Sequence, residues 1–321
     1  ERNGYRVIRR GSRYTVFPRT IAAELTGRMG PYDALVEIWN GVPWFSPVWC
    51  RRPRITFLHH VHGPMWDQIL PRPFAGLGRA LETRLAPPFY RRTTVVTPSD
   101  ATRDELIELG FRPERVVAAP NGVGEQFTPS ADGVDGVRSA TPLVVAVGRF
   151  APVKRFDELI RAAHVARGRV AGLRLELVGS GPMLDDLRSL VAELGADEWV
   201  TFHGHVDHDD LVDLYRRAWV VASASLAEGW GLTLTEAAAC GTPAVATDIR
   251  GHRSSVIDRV TGVLAPLEQL GDTLADVLLD DERRKRLGEA ALARARTLTW
   301  EASATRILAE LHTQVVARQD R

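Results

Sequence analysis

Short runs of β-branched and other apolar residues alternate along the chain with longer stretches of helical period. Nine runs read as strands, at residues 33–39, 54–60, 93–99, 115–121, 142–148, 173–179, 199–204, 219–223 and 243–248. Several, such as PLVVAVG, are apolar throughout rather than alternating, which is the pattern of a strand covered on both faces. Between them lie FDELIRAAHVARG, MLDDLRSLVAELG, DDLVDLYRRA and LTLTEAAACG, each amphipathic and several closed by glycine. Continuous strands alternating with such helices predict an α/β protein built on doubly wound parallel sheets. Residues 125–142, EQFTPSADGVDGVRSATP, are rich in Gly, Asp, Ser and Pro, lack either period and read as a linker. The chain divides there into an N-terminal unit, residues 1–138, with four strand candidates, and a C-terminal unit, residues 139–299, of five βα repeats. TWEASATRILAELHTQVVAR reads as a last helix, within residues 300–321.

Composition narrows the function. With 41 basic and 40 acidic residues among 321, the chain has almost no net charge, which argues against nucleic-acid binding through bulk charge. The charge is unevenly spread: residues 1–98 hold 15 basic and 6 acidic residues. That basic half would suit a phosphate-bearing acceptor or a peripheral contact with an anionic membrane. No apolar run is long enough to span a bilayer. Cys50 and Cys240 stand alone rather than in a CxxC pair, which points to a reducing, cytoplasmic setting without disulfides. The opening ERNGYRVIRRGSRY is arginine-rich, lacks the apolar core of a signal peptide and starts on Glu1, so the native start is expected elsewhere.

Two segments carry chemistry. In LVVAVGRFAPVKRFDELI a buried strand ends at Gly148 and is followed by Arg149 and Lys154. Ligands of open α/β sheets bind beyond the carboxyl ends of strands, so two cations held there would suit a diphosphate. In AEGWGLTLTEAAACGTP a glycine loop leads into a helix. The amides around Gly231, Leu232 and Thr233 would then form a positive helix end that accepts phosphate. Glu228 would sit on the loop and Glu236 one turn into the helix, where a carboxylate can bridge vicinal hydroxyls.

With VGRFAPVKR, ELVGSGP (176–182), FHGHV (202–206), the Glu228/Glu236 pair and APNGV (119–123) in this order, the chain from about Asp33 to its end resembles the retaining glycosyltransferases of family 4. The resemblance implies the GT-B fold, two Rossmann-like doubly wound domains facing a cleft, with the last helix crossing back to the N-terminal one. It implies that Arg149 and Lys154 bind a donor diphosphate, Glu228 meets hydroxyls of the transferred sugar, Glu236 holds the ribose and the backbone near Val206 pairs with the base. By the same resemblance His59 reaches the donor sugar from the N-terminal domain, and Asn121 and Ser99 fall on interdomain positions. Ser99 also reads as the N-cap of DATRDELIELG.

The implied reaction moves a hexose from a nucleotide-diphosphate sugar, such as a UDP- or GDP-hexose, to a sugar, lipid or small-molecule acceptor, without cofactor or metal. HHVH and HGHVDH bring histidines together but lack acidic or cysteine partners at metal-like spacing. Asp207 and Asp209 read as acids at a helix start rather than a metal motif. Two departures stand out. His252 and Ser255 occupy positions where the family has glycine and glutamate, and its opening strand and glycine-rich loop have no counterpart, which implies an incomplete N-terminal domain. A non-catalytic nucleotide-sugar-binding subunit, or another GT-B enzyme such as a sugar-nucleotide epimerase, is the alternative reading.

Overall fold

A computed structural model describes residues 4–12, 15–131, 133 and 136–319. The predicted strands form two parallel sheets. Leu35–Trp39 (β1), Arg54–Leu58 (β2), Thr94–Thr97 (β3) and Val116–Ala118 (β4) lie in chain order, with β1 and β4 at the edges. The second sheet contains Leu143–Val147 (β5), Arg174–Val178 (β6), Val200–Gly204 (β7), Val220–Ser223 (β8), Ala244–Thr247 (β9) and Gly262–Ala265 (β10), in the order β10-β9-β8-β5-β6-β7. The sequence pattern missed β10, because four residues between Thr261 and Pro266 are too few to show a period.

β5 shows why its sequence is apolar throughout. Val144 and Ala146 enter the core with Leu159 and Ile160 of helix Phe156–Arg167 and Leu274 of helix Leu270–Leu279. Leu143 and Val145 point the other way, among Val212 and Tyr215 of helix His208–Arg217 and Leu234 of helix Leu232–Ala239. Successive side chains of a strand face opposite sides, so a sheet covered twice needs an apolar residue at every position. In the first sheet Trp39, Leu58 and Val95 fill one face, with Tyr90 and Leu106. Ile55, Phe57 and Val96 fill the other, and Ile307 and Leu311 of helix Trp300–Gln319 pack on them.

The chain passes between the sheets twice at one place. Val123 N–H donates to the Leu298 carbonyl at 2.9 Å, and Val123 bridges Thr299 in parallel. Beside it the Ser303 hydroxyl donates to the Pro120 carbonyl. The final helix is thereby fixed to the first sheet through both backbone and side chains.

Candidate functional site

Strand order in the second sheet reverses between β5 and β8: β6 and β7 extend from one side, β9 and β10 from the other. Loops leaving two such strands diverge and open a crevice at their carboxyl ends. The loop after β5 supplies Lys154 and the loop after β8 supplies Glu228. The two are joined by the Leu226 N–H, which donates to the Val153 carbonyl at 2.8 Å. Lys154 Nζ and Glu228 Oε1 form an ion pair, and Ser225 Oγ donates to the same oxygen at 2.8 Å.

A cavity of about 240 Å³ lies here, lined by His59, His60, Pro98 and Asn121 from the first sheet and by Lys154, Glu228 and residues 229–233 from the second. It brings together His59, Asn121, Lys154, Glu228, Gly231, Leu232 and Thr233, all singled out from the sequence. Helix Leu232–Ala239 starts at Gly231, whose φ of +92° makes it a glycine position, so the unpaired amides of the first turn lie at the cavity wall.

Three other sequence candidates lie outside this cavity. Arg149 is exposed on the loop after β5, and Val206 is half-buried beyond β7. Glu236 receives the Tyr215 hydroxyl at 3.0 Å, and its burial pushes the carboxyl above its ordinary range. Ser99 caps helix Asp100–Glu108, accepting from Thr102 N–H at 3.0 Å, while its hydroxyl lies 3.5 Å from the Gly229 carbonyl across the cleft. Asp207 caps its helix through Asp210 N–H at 2.9 Å. Among the described residues no group of three or more His, Cys, Asp or Glu is arranged to hold a metal ion.

Packing around the cleft builds its frame, with Glu82 the member that no sequence motif marks. Gly179 follows β6 with a φ of +135°, and a Cβ there would stand 1.9 Å from the Gly148 carbonyl, so the GSGP loop supports the loop carrying Arg149. Glu82 anchors the histidine loop after β2: its carboxylate accepts from His62 N–H at 2.9 Å, Gly63 N–H at 3.0 Å and Trp66 Nε1–H at 3.0 Å. Burial pushes this carboxyl up, and the hydrogen bonds from His62 and Gly63 outweigh it, so the net shift is downward. His252 is wholly buried, with Nδ1 2.8 Å from the Thr247 carbonyl. That contact makes Nδ1 the donor and leaves Nε2, which has no partner, as the bare nitrogen. Burial pushes His252 below its ordinary range. The His252 side chain therefore packs behind the helix start, and the Ser255 hydroxyl lies 3.0 Å from where a Gly231 Cβ would stand.

His59 is likewise lowered by burial, and His60 is pushed down to about 4 by burial first and the neighbouring His62 second. All three shifts act alike on stability. The unfolded chain binds these protons more readily, so the stability they confer is present above pH 6.5 and is lost as pH falls toward 4. His60 alone accounts for on the order of 3 kcal/mol of that loss. Denaturant titrations should show stability declining over this interval, less steeply in His60→Gln. An equal slope in the variant would remove His60 from the account.

The two parallel sheets facing this cleft define a GT-B fold. HepE of Anabaena, solved with UDP and glucose, superposes with a TM-score of 0.74 at 21% identity, covering 92% of this chain and 81% of that one. Sucrose-phosphate synthase of Thermosynechococcus elongatus superposes at 0.76 with 24% identity, covering 96% and 81%. Residues 132–294 match the family model for glycosyl transferases group 1 and residues 2–127 match that for glycosyltransferase family 4, and the chain belongs to the group 1 glycosyl transferases. Among relatives, the D-inositol 3-phosphate glycosyltransferase of Kribbella flavida is 35% identical over 233 residues, 67% of this chain and 55% of that protein. The Corynebacterium aurimucosum enzyme of the same name is 33% identical over 230 residues, 66% and 55%. The chain spans about half the length of these curated relatives. No helix among the described residues is long and apolar enough to cross a membrane.

Proposed function

We propose that this cleft binds a nucleotide-diphosphate sugar and that the protein transfers its hexose with retention of anomeric configuration. The carrying observation is the convergence of Lys154, Glu228 and the start of helix Leu232–Ala239 at one switch-point cavity, with His59 and Asn121 facing them. In this reading the diphosphate lies between Arg149, Lys154 and the helix amides, the ribose meets Glu236 and the base lies along the backbone at Val206. Glu228 and His59 hold the sugar.

As the bond from the anomeric carbon to the diphosphate oxygen breaks, negative charge grows on the leaving group. Cations and fixed amides stabilise that state more than the ground state. The acceptor hydroxyl attacks from the face the diphosphate leaves, and its proton passes to a departing phosphate oxygen. Charge neutralisation by Lys154, Arg149 and the helix end supports a reaction that proceeds without a divalent metal. Cys50 and Cys240, both buried and free, suit a reducing compartment such as the cytoplasm.

HepE solved with UDP and glucose makes UDP-glucose the first donor to try, and the relatives named for D-inositol 3-phosphate make that compound the first acceptor. A matched nucleotide sugar at 100 times its Kd should stabilise the fold by about 2.7 kcal/mol. Product with the anomeric configuration of the donor, formed in excess EDTA, is the expected outcome. Absence of stabilisation by any UDP-, GDP- or ADP-sugar would overturn the donor reading. Rescue by magnesium of an EDTA-silenced reaction would overturn metal independence, and binding without product would favour a non-catalytic subunit.

A further inference from the structure

At the opposite end of the first sheet, where β2, β3 and β4 begin, a second cavity of about 920 Å³ opens. Its size falls within the roughly 300 to 1,000 Å³ of small-molecule sites. The loop before β2 contributes Arg51 and Arg52 and the first residue of β2 is Arg54, the turn before β3 contributes Arg92, and the segment before β4 contributes Arg112 and Arg115. Arg318, near the end of helix Trp300–Gln319, closes the set, and no acidic side chain lines the cavity. A five-residue strand at about 3.3 Å per residue puts this site roughly 15 Å from the cleft residues at the other end of β2.

Elsewhere in this molecule arginines are commonly paired. Arg79 meets Asp67, Arg169 meets Asp272 and Asp276, Arg250 meets Glu108, Arg253 meets Asp248, and Arg284 meets Asp281. Among the described residues none of the seven cavity arginines makes such a pair. Gathering like charges around a concave surface costs energy unless an anion offsets it. Two polar atoms at the wall also lack partners: Arg54 Nε, although its Nη1 donates to the Cys50 carbonyl at 2.8 Å, and Oγ1 of Thr93, which is 3% exposed. Arg52 is partly placed by the Tyr32 ring, 5.6 Å from its guanidinium carbon. The guanidinium fork matches phosphate oxygens two at a time, and a wall of such forks selects an anion with several of them.

We propose that this cavity is a binding site for a phosphate-bearing anion, either a soluble phosphate ester or the headgroup of an anionic lipid, separate from the cleft. The inference does not depend on the transferase reading, since it rests on other residues at the far end of the sheet. Because Arg318 belongs to the final helix and the other six arginines to the first sheet, the bound anion would clamp that helix in place.

The test compares the unmodified chain, Arg92→Ala/Arg112→Ala, and a control with the same charge loss on the other lobe, Arg286→Ala/Arg296→Ala. All four are exposed residues. Calorimetry with pyrophosphate, run on all three proteins with Lys154→Ala added so that the cleft does not hold the probe, reads the soluble source. Sedimentation with vesicles of phosphatidylglycerol in phosphatidylcholine, against phosphatidylcholine alone, reads the lipid source. The cavity variant should lose at least about tenfold in affinity for one or both probes, with the control within about twofold. Loss for pyrophosphate identifies a soluble ligand, and loss for vesicles alone identifies a headgroup. Equal losses in both variants, no loss in the cavity variant, or no binding of either probe by the chain that keeps its cavity arginines would overturn the proposal.

Discussion

Lys154→Ala is expected to weaken binding of the preferred nucleoside diphosphate by about 10- to 150-fold, the range of one charge-assisted hydrogen bond of about 1.5 to 3 kcal/mol. The ion pair with Glu228 makes the prediction sharper. Without Lys154 the largely buried Glu228 carboxylate faces the site of an incoming diphosphate with its cation removed, so the single variant suffers a lost attraction and an uncovered repulsion. Lys154→Ala/Glu228→Gln should therefore bind the nucleotide more tightly than Lys154→Ala alone, a non-additivity of the kind contacting residues show. Glu228→Gln alone frees the lysine and should not weaken the bare nucleotide. Its turnover should fall, because its proposed partner is a sugar hydroxyl that the nucleotide lacks. Calorimetry on the four proteins decides: unchanged affinity in Lys154→Ala removes the phosphate assignment, and strictly additive effects remove the repulsion.

That pair also marks how far the sequence could be read. Lys154 and Glu228 were each legible because an apolar strand precedes the loop that bears them, and strand ends are where α/β proteins place ligands. Their contact was not legible, since it joins residues 74 positions apart. The same holds for Tyr215 on Glu236 and for Glu82 beneath the histidine loop, partners supplied by packing rather than by any local period. His252 stands out in the sequence as a departure, but only its burial against Thr247 makes it part of the wall behind the helix start. Four of the arginines of the second cavity, Arg51, Arg52, Arg54 and Arg92, belong to the charge excess of residues 1–98, whereas Arg112, Arg115 and Arg318 lie beyond it. Their convergence was not legible, because three separate strand beginnings and the last helix bring them together. Apolar runs disclose the sheets, whereas β10 and the helices Leu270–Leu279 and Asp281–Ala295 are not among the elements that the sequence pattern predicts.

Gly229→Ala is expected to separate catalysis from nucleotide binding. A Cβ at this position would stand 2.6 Å from the His59 carbonyl oxygen and 3.3 Å from His60 Cβ, so the second lobe carries glycine where it meets the backbone of the first. Neither neighbour is the free end of a flexible side chain. The lobes would have to move apart, or the Glu228 loop would have to retreat, and either change alters the spacing between His59 and Glu228 across the cavity. Misplacement by about 1 Å can cost about 100-fold in rate when reacting groups must be aligned. Turnover should accordingly fall by about 10- to 100-fold. Affinity for the bare nucleotide should change by less than about threefold, because Lys154 and the helix start belong to one lobe and move together. Gly76→Ala is the control: a Cβ there meets nothing within 4 Å, and alanine suits the helix Arg72–Ala80 better than glycine. Wild-type turnover in Gly229→Ala would show that the approach of the lobes seen here is not the geometry in which transfer occurs. A parallel collapse of nucleotide affinity would place the damage within the second lobe instead.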